Sequence, residues 1–268
     1  MNQGADINMG SKYVKFKHKV DKESIPKCNI MGVDFAITDM DKFLKFTADN
    51  IKDLSGDYIC FSNVHTTVMA FENERYRMIQ NGGIAAAPDG GPISSIGRKR
   101  GYKEMGRVAG PTFMEKMFAI SEERGFRHFF YGTTQDTLDK MRVRLEKEHP
   151  ALQIAGMYSP PFRPLTDEED EEIIRIINEG HPDFIWVGLG APKQEIWMAR
   201  HRGRVEGLMA GVGAAFDFYA GNTKRAPLWM QEHNLEWFYR LMQNPRKLVR
   251  RYVTTNAKFI LHAFLLGK

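Results

Sequence analysis

Short apolar runs alternate with longer stretches of helical spacing along most of the chain. Residues 29–37 (N-I-M-G-V-D-F-A-I), 57–62, 84–88, 127–132, 152–158, 184–189 and 208–212 have the length and apolar character of buried strands. Between them, apolar positions recur at helical spacing over residues 39–54, from 63 through 77, 112–124 and 135–148, and after 166. Thr38 is placed to cap the first of these helices, and Thr166-Asp-Glu-Glu starts another with carboxylates at its positive end. Strands alternating with helices predict an α/β fold: a Rossmann-like, mostly parallel sheet with helices on both faces. No internal repeat interrupts the alternation.

Two of the runs, 184–189 and 208–212, each lead into Gly-x-Gly. The helix after the first is expected to open near Ala191-Pro192, because proline is tolerated in a first helical turn. Ligands of such sheets bind where strands end and helices begin. Gly190, Lys193, Gln194, Gly213 and Asp217 are therefore expected to border one cleft, with the glycines allowing close backbone approach and Lys193 and Gln194 supplying donors. A dinucleotide site would need a third glycine three residues after the second. Lys193 occupies that slot in the first copy and Phe216 in the second, so a nicotinamide or flavin reading is disfavoured. A phosphate- or sugar-binding corner fits better.

Composition narrows this further. With 43% hydrophobic and 26% charged residues, the 268-residue chain reads as ordinary globular protein rather than a disordered one. Its two cysteines, Cys28 and Cys60, provide neither a disulfide framework nor a zinc site, which suits a reducing cytoplasm. No run is long and apolar enough to span a bilayer, and the first residues lack the apolar core of a secretory signal. The net charge of +5 suits an anionic partner such as a nucleotide, a nucleic acid or a lipid headgroup.

That charge is unevenly placed. Segment 91–110 is glycine-rich and basic and includes Arg107. After Arg225, aromatic residues mix with Arg240, Arg246, Arg250 and Arg251, and no Asp or Glu follows Glu236. Arg246 and Arg250 share a helical face by their spacing of four. The expected organisation is a flexible leader at residues 1–28, a Rossmann-like catalytic domain at 29–222, and a basic helical appendage at 223–268. The appendage reads equally as a surface for an anionic membrane or as a packed helix pair with a solvated face. Its apolar residues also suit contact with another subunit. A nucleic-acid-binding tail is a further alternative, although no recognisable reading motif supports it.

Among side chains able to carry chemistry, Asp89 stands out. It sits in Pro-Asp-Gly at the end of an apolar strand, where it is either a turn aspartate or a proton acceptor for a substrate hydroxyl. Asn63 is either a helix N-cap or an amide contact to a ligand, and His65 is more readily a structural histidine than a catalyst. Arg225 suits a diphosphate or a neighbouring carboxylate. The acidic run 167–171 reads as a solvated helix start, and no compact metal site is expected.

The ordered motifs Asn63-Val-His-Thr, Pro88-Asp-Gly, Arg107-Val-Ala-Gly-Pro, Tyr158-Ser-Pro-Pro-Phe, Gly188-Leu-Gly-Ala-Pro-Lys-Gln-Glu, Gly211-Val-Gly-Ala-Ala-Phe-Asp-Phe, Arg225-Ala-Pro and Glu236-Trp-Phe-Tyr-Arg-Leu resemble those of the WecG/TagA/CpsF glycosyltransferases (glycosyltransferase family 26). The resemblance runs from about residue 30 to about residue 259. It implies a metal-independent, inverting transferase without a cofactor, moving a hexose-type sugar such as N-acetylmannosamine, glucose or a uronic acid. The implied donor is a UDP-sugar. The implied acceptor is a sugar on a polyprenyl diphosphate at the inner membrane surface, in the synthesis of a bacterial surface polysaccharide or cell-wall polymer. By the same resemblance Asp89 is the general base, and Asn63 and Gln194 hold the donor or its leaving group. His65, Gly90 and Arg107 join the substrate-binding set. Arg225, Arg240, Arg246, Arg250 and Arg251 neutralise diphosphate charge or seat the tail on the membrane. Where some relatives carry threonine and proline before the asparagine, this chain has Phe61 and Ser62, so a contact made by that threonine is not carried over.

Overall fold

A computed structural model describes residues 17–267, with some side chains of the C-terminal helices excepted. The expected leader lies mostly outside the described residues. The elements, in order, are β1 (Lys27–Ile30), β2 (Val33–Ala36), α1 (Met40–Asn50), β3 (Tyr58–Ser62), α2 (Val64–Glu72), α3 (Glu74–Gly82), β4 (Ala85–Pro88), α4 (Gly91–Lys99) and α5 (Gly110–Arg124). There follow β5 (Arg127–Gly132), α6 (Gln135–Glu148), β6 (Gln153–Tyr158), α7 (Asp167–Glu179), β7 (Phe184–Gly188), α8 (Lys193–His201), β8 (Leu208–Gly211) and α9 (Ala215–Tyr219). The chain closes with α10 (Leu228–Glu232), α11 (Glu236–Gln243), α12 (Pro245–Phe259) and a π-helical turn, Ile260–Leu265.

The eight strands form one sheet in the order β1-β2-β4-β3-β8-β7-β5-β6. Every pairing is parallel except β1 with β2. Alternate strand residues feed two cores, as a period of two requires. Tyr58, Cys60, Ile185 and Val187 face the side covered by α2, α3, α7 and α8. Ile59, Phe61, Phe184 and Trp186 face the side covered by α1, α5, α6 and α9. The Rossmann-like sheet with helices on both faces is therefore present.

Several local expectations need correction. The run 29–37 is not one strand but a hairpin, turned at Met31 and Gly32 with φ of 52° and 86°. Both central residues of such a tight turn take positive φ. The cap of α1 is Asp39, whose carboxylate accepts the Lys42 N–H at 2.8 Å, rather than Thr38. The helix expected through residue 77 divides at Asn73, which ends α2 and caps α3 by accepting the Tyr76 N–H at 3.0 Å. Pro192 stands before α8 rather than inside its first turn, after a cis Ala191–Pro192 peptide bond. The glycine-rich segment 91–110 contains a helix, α4, over its first half.

The strand order places the site. The chain fills β4 beside β3, crosses to β5 and β6, then returns through β7 to β8 on the other side of β3. The carboxyl ends of β4, β3, β8 and β7 thus lie side by side, at the point in an open α/β sheet where ligands bind. The C-terminal helices cover these ends. α12 runs against α2 and packs on α11, and Phe259 enters the core beneath it.

Candidate active site

Between the four strand ends and the C-terminal helices lies a cavity of about 1040 Å³. It is lined by Asn63 and His65 after β3, Asp89 and Gly90 after β4, Arg107 before α5, Gly190 and Gln194 after β7, and Gly213 after β8. Glu236, Trp237 and Arg240 of α11, and Tyr252 and Phe259 of α12, close it from above. Asp89 and the Gln194 helix start therefore share one crevice. Among the expected site residues, Lys193, Asp217, Arg225 and Arg246 are not part of its lining. Lys193 and Arg246 are exposed. Arg250 and Arg251 lie on α12, but their side chains are outside the described residues.

One wall is built from the two glycine turns. Gly190 and Gly213 have φ of 76° and 54°, which favours glycine over any residue with a Cβ. Gln194 fastens these turns together. Its carbonyl accepts the Gly190 N–H at 3.1 Å, and its amide donates to Gly211 O at 3.1 Å and to Glu195 Oε1 at 2.9 Å. Both amide hydrogens are used within the protein. In this geometry Gln194 braces the ends of β7 and β8, and its carbonyl oxygen, which accepts one hydrogen bond here, keeps a second lone pair for a ligand donor. Beneath it Glu195 is 1% exposed. Burial raises its carboxyl from 4.5 to about 7, against the opposing effect of the Gln194 hydrogen bond. The sequence pattern gave Glu195 no role beyond its motif; its immersion between α8, β3 and α3 is a tertiary fact.

Asn63 caps α2. Its Oδ1 accepts the His65 N–H at 3.0 Å and the Thr66 N–H at 3.3 Å, and Thr66 Oγ1 reciprocates to the Asn63 N–H at 2.9 Å. The cap occupies the carbonyl side of the amide and leaves its NH₂ as the group that can serve a ligand.

The opposite wall is charged. The Asp89 side chain is 18% exposed, and Arg107 Nη2 stands 3.9 Å from its Oδ1. That same nitrogen binds Glu236 Oε2 at 2.6 Å, while Arg107 Nη1 donates to Gln231 O at 3.0 Å. Arg225 lies 3.5 Å from the other oxygen of Glu236, and donates to Thr112 Oγ1 at 2.6 Å. Burial raises the Asp89 carboxyl from 3.8 to about 7; Arg107 opposes that rise, Glu236 adds to it, and Arg240 and Arg225 again oppose it. A carboxylate that titrates near neutrality, beside guanidinium groups, can accept a proton and leave cations free to meet an anion. Glu236 is a functional candidate that sequence reasoning did not single out. Its signals were a place at the head of the Glu236-Trp-Phe-Tyr-Arg-Leu motif and its being the last acidic residue before a basic tail.

Among the described residues no group of three His, Cys, Asp or Glu side chains is arranged to hold a metal ion. Nor is any helix among them long and apolar enough to cross a membrane.

The family model described as "Glycosyl transferase WecG/TagA/CpsF family" matches residues 28–267. The chain is similar to proteins named N-acetylglucosaminyldiphosphoundecaprenol N-acetyl-beta-D-mannosaminyltransferase. One from Bacillus spizizenii is 28% identical over 236 residues, covering 85% of this chain and 90% of the relative. One from Bacillus subtilis is 27% identical over 219 residues, covering 81% and 83%. One from Staphylococcus aureus is 26% identical over 237 residues, covering 86% and 90%.

Proposed function

The chain belongs to the WecG/TagA/CpsF family and is a glycosyltransferase, and from that premise we propose that it moves a hexose-type sugar from a UDP-sugar to a sugar carried on a polyprenyl diphosphate, with inversion and without a metal. The relatives are named for transfer of N-acetylmannosamine to N-acetylglucosaminyl-diphosphoundecaprenol, which makes that pair the first to try, in cell-wall or surface-polysaccharide synthesis. A nicotinamide-dependent oxidoreductase, the rival suggested by the Gly-x-Gly turns, is set aside by the family.

The carrying observation is Asp89, a carboxyl with a pKa of about 7 beside Arg107 in the cavity that the glycine turns also line. In the reaction an acceptor hydroxyl gives its proton to Asp89 as its oxygen bonds to the anomeric carbon. The bond from that carbon to UDP breaks, and UDP leaves with the electron pair. Attack from the face opposite the leaving group converts an α-linked donor into a β-linked product. Arg107 and Arg240, which line the cavity, supply positive charge where a metal would otherwise stand, with Arg225 behind them on Glu236. Gly190 and Gly213 let the nucleotide approach the backbone, with Asn63 as a further amide contact.

The acceptor's lipid requires a membrane-facing side. Leu228, Trp229, Met242 and Val253 of the C-terminal helices are more than half exposed, and Arg246, Arg250 and Arg251 add charge on α12. We propose that these helices rest on the inner surface of the cell membrane.

The test is UDP release across a panel of UDP-sugars in the presence of a chelator, with and without an N-acetylglucosaminyl-diphosphopolyprenol acceptor. Release that needs both substrates, and a β-linked product by NMR, are expected. Release only on addition of a divalent ion, or none with any donor, would overturn the reading. Replacing Arg246, Arg250 and Arg251 by Glu is expected to weaken binding to anionic vesicles; unchanged binding would remove the membrane role of these arginines.

A further inference from the structure

The C-terminal helices bring one carboxylate into the cavity, and its placement is unusual. Glu236 begins α11, and its side chain is 11% exposed. It lies between two arginines from outside its own helix, Arg107 before α5 at 2.6 Å and Arg225 before α10 at 3.5 Å. Arg107 is thereby turned toward α10 and α11, bonding Gln231 O with one nitrogen and Glu236 with the other. It meets Asp89 only at 3.9 Å, through the nitrogen already given to Glu236. A guanidinium free of Glu236 would have two parallel N–H groups to offer a carboxylate, the arrangement that holds a carboxylate most firmly ionised and least available to a proton.

The contact is fixed by packing as well as charge. The turn before α11 presses on the turn that carries Asp89: a Cβ on Gly91 would fall 2.1 Å from Asn234 Cγ. Asn234 itself has φ of 60°. Arg240, one helical turn beyond Glu236, faces the same cavity. Seating of α11 and placement of Glu236 are therefore one event.

We propose that Glu236 is a positioning residue for the acid–base chemistry of Asp89: it holds Arg107 away from a two-point ion pair with Asp89, so that the base is fully poised only when α11 is seated. This rests on Asp89 being the base. The charged groups acting on Asp89 are Arg107 from the segment before α5, Glu236 and Arg240 from α11, and Arg225 from the segment before α10. Of these, Glu236 is the only negative one, and its direction is set. Removing its charge lowers the pH at which Asp89 titrates.

The experiment follows the Asp89 carboxyl in the full chain by carbon-13 NMR, assigned by difference from Asp89→Asn, in the wild type, Glu236→Asp and Glu236→Gln. A downward shift of about one unit is expected in Glu236→Gln, with a smaller one in Glu236→Asp, where the charge is kept but withdrawn by a methylene. The acid limb of the turnover profile should move down with it, and the plateau turnover should fall by about tenfold with KM for the donor little changed. An unmoved Asp89 titration overturns the proposal whatever happens to turnover. If Glu236→Gln does not fold, the Asp variant alone decides by the same criterion. A titration that follows Glu236 while the turnover profile stays put separates the two readings: the coupling then stands and the base assignment fails.

Discussion

The two walls of the cavity each carry a carboxyl raised to about 7, and they reach that value by different means. Glu195, under the glycine turns, is raised by burial, and only hydrogen bonds work against it. Asp89, on the charged wall, is raised by burial and by Glu236 against three arginines. A carboxyl with no cation among the groups that shift it answers only to its burial and its hydrogen bonds. A carboxyl balanced among charges changes state when one of those charges moves, or when an anionic substrate claims one. The same titration thus comes from burial alone on one wall and from a balance of charges on the other, and only the second is proposed to carry chemistry. Position relative to cations, rather than pKa, tells them apart.

The largest test of that contrast is Asp89→Asn. The amide keeps the shape and loses the proton acceptor, so turnover should fall by a factor of about 10² to 10⁴. UDP affinity by calorimetry should stay within about threefold, because the amide leaves in place the arginines and glycine turns proposed to meet the nucleotide. Near-normal turnover would move the base elsewhere.

Gln194→Leu comes next. It strips partners from Gly190 N–H, Gly211 O and Glu195 together. Leaving buried polar groups unsatisfied costs about 1–3 kcal/mol each, so chemical denaturation should show a loss of a few kcal/mol, and UDP binding should weaken. If stability holds and only turnover falls, the amide is a ligand contact rather than a brace.

These differences show what a sequence can carry. The strands, their glycine ends and the crevice at β3, β4, β7 and β8 were legible, because strand burial and strand termination are local patterns. The use of each polar group was not. Glu236 acquires its meaning from Arg107, 129 positions away in the chain, and Gln194 from Gly211, 17 positions away. Met31 defeated the local reading for a different reason. It is an apolar residue in an apolar run, yet it takes positive φ to turn a hairpin. Likewise Gly91, Pro92 and Gly97 disguise α4: Pro92 sits in its first turn, and the glycines are needed by packing, since a Cβ on Gly97 would sit 2.0 Å from the Met105 sulfur.

A smaller effect separates the two carboxyls by stability. Each binds its proton more tightly folded than unfolded. Each therefore favours the folded state at low pH and loses that advantage as pH rises from its unfolded value, 4.5 for Glu195 or 3.8 for Asp89, to about 7. Glu195→Gln, which cannot ionise, should flatten part of that decline in denaturation curves between pH 5 and about 8, and leave turnover within about threefold of wild type. Asp89→Asn should flatten its own share and lower turnover by a factor of about 10² to 10⁴. A Glu195→Gln variant as inactive as Asp89→Asn would erase the distinction between the walls.

The smallest effect is expected at Lys193. It opens α8, immediately before Gln194, and the sequence alone placed it at the cleft as a donor. In the structure its side chain is exposed and outside the cavity lining. A solvated ammonium outside the cavity stabilises developing charge only weakly, because water and salt screen it. Lys193→Gln should therefore change turnover by less than about threefold at 150 mM salt, with a somewhat larger effect on donor KM at low salt, where screening is weaker. A tenfold loss at both salt concentrations would mean that the α8 start moves onto the substrate during turnover. The glycine wall would then no longer be the finished cradle that the hydrogen bonds of Gln194 imply.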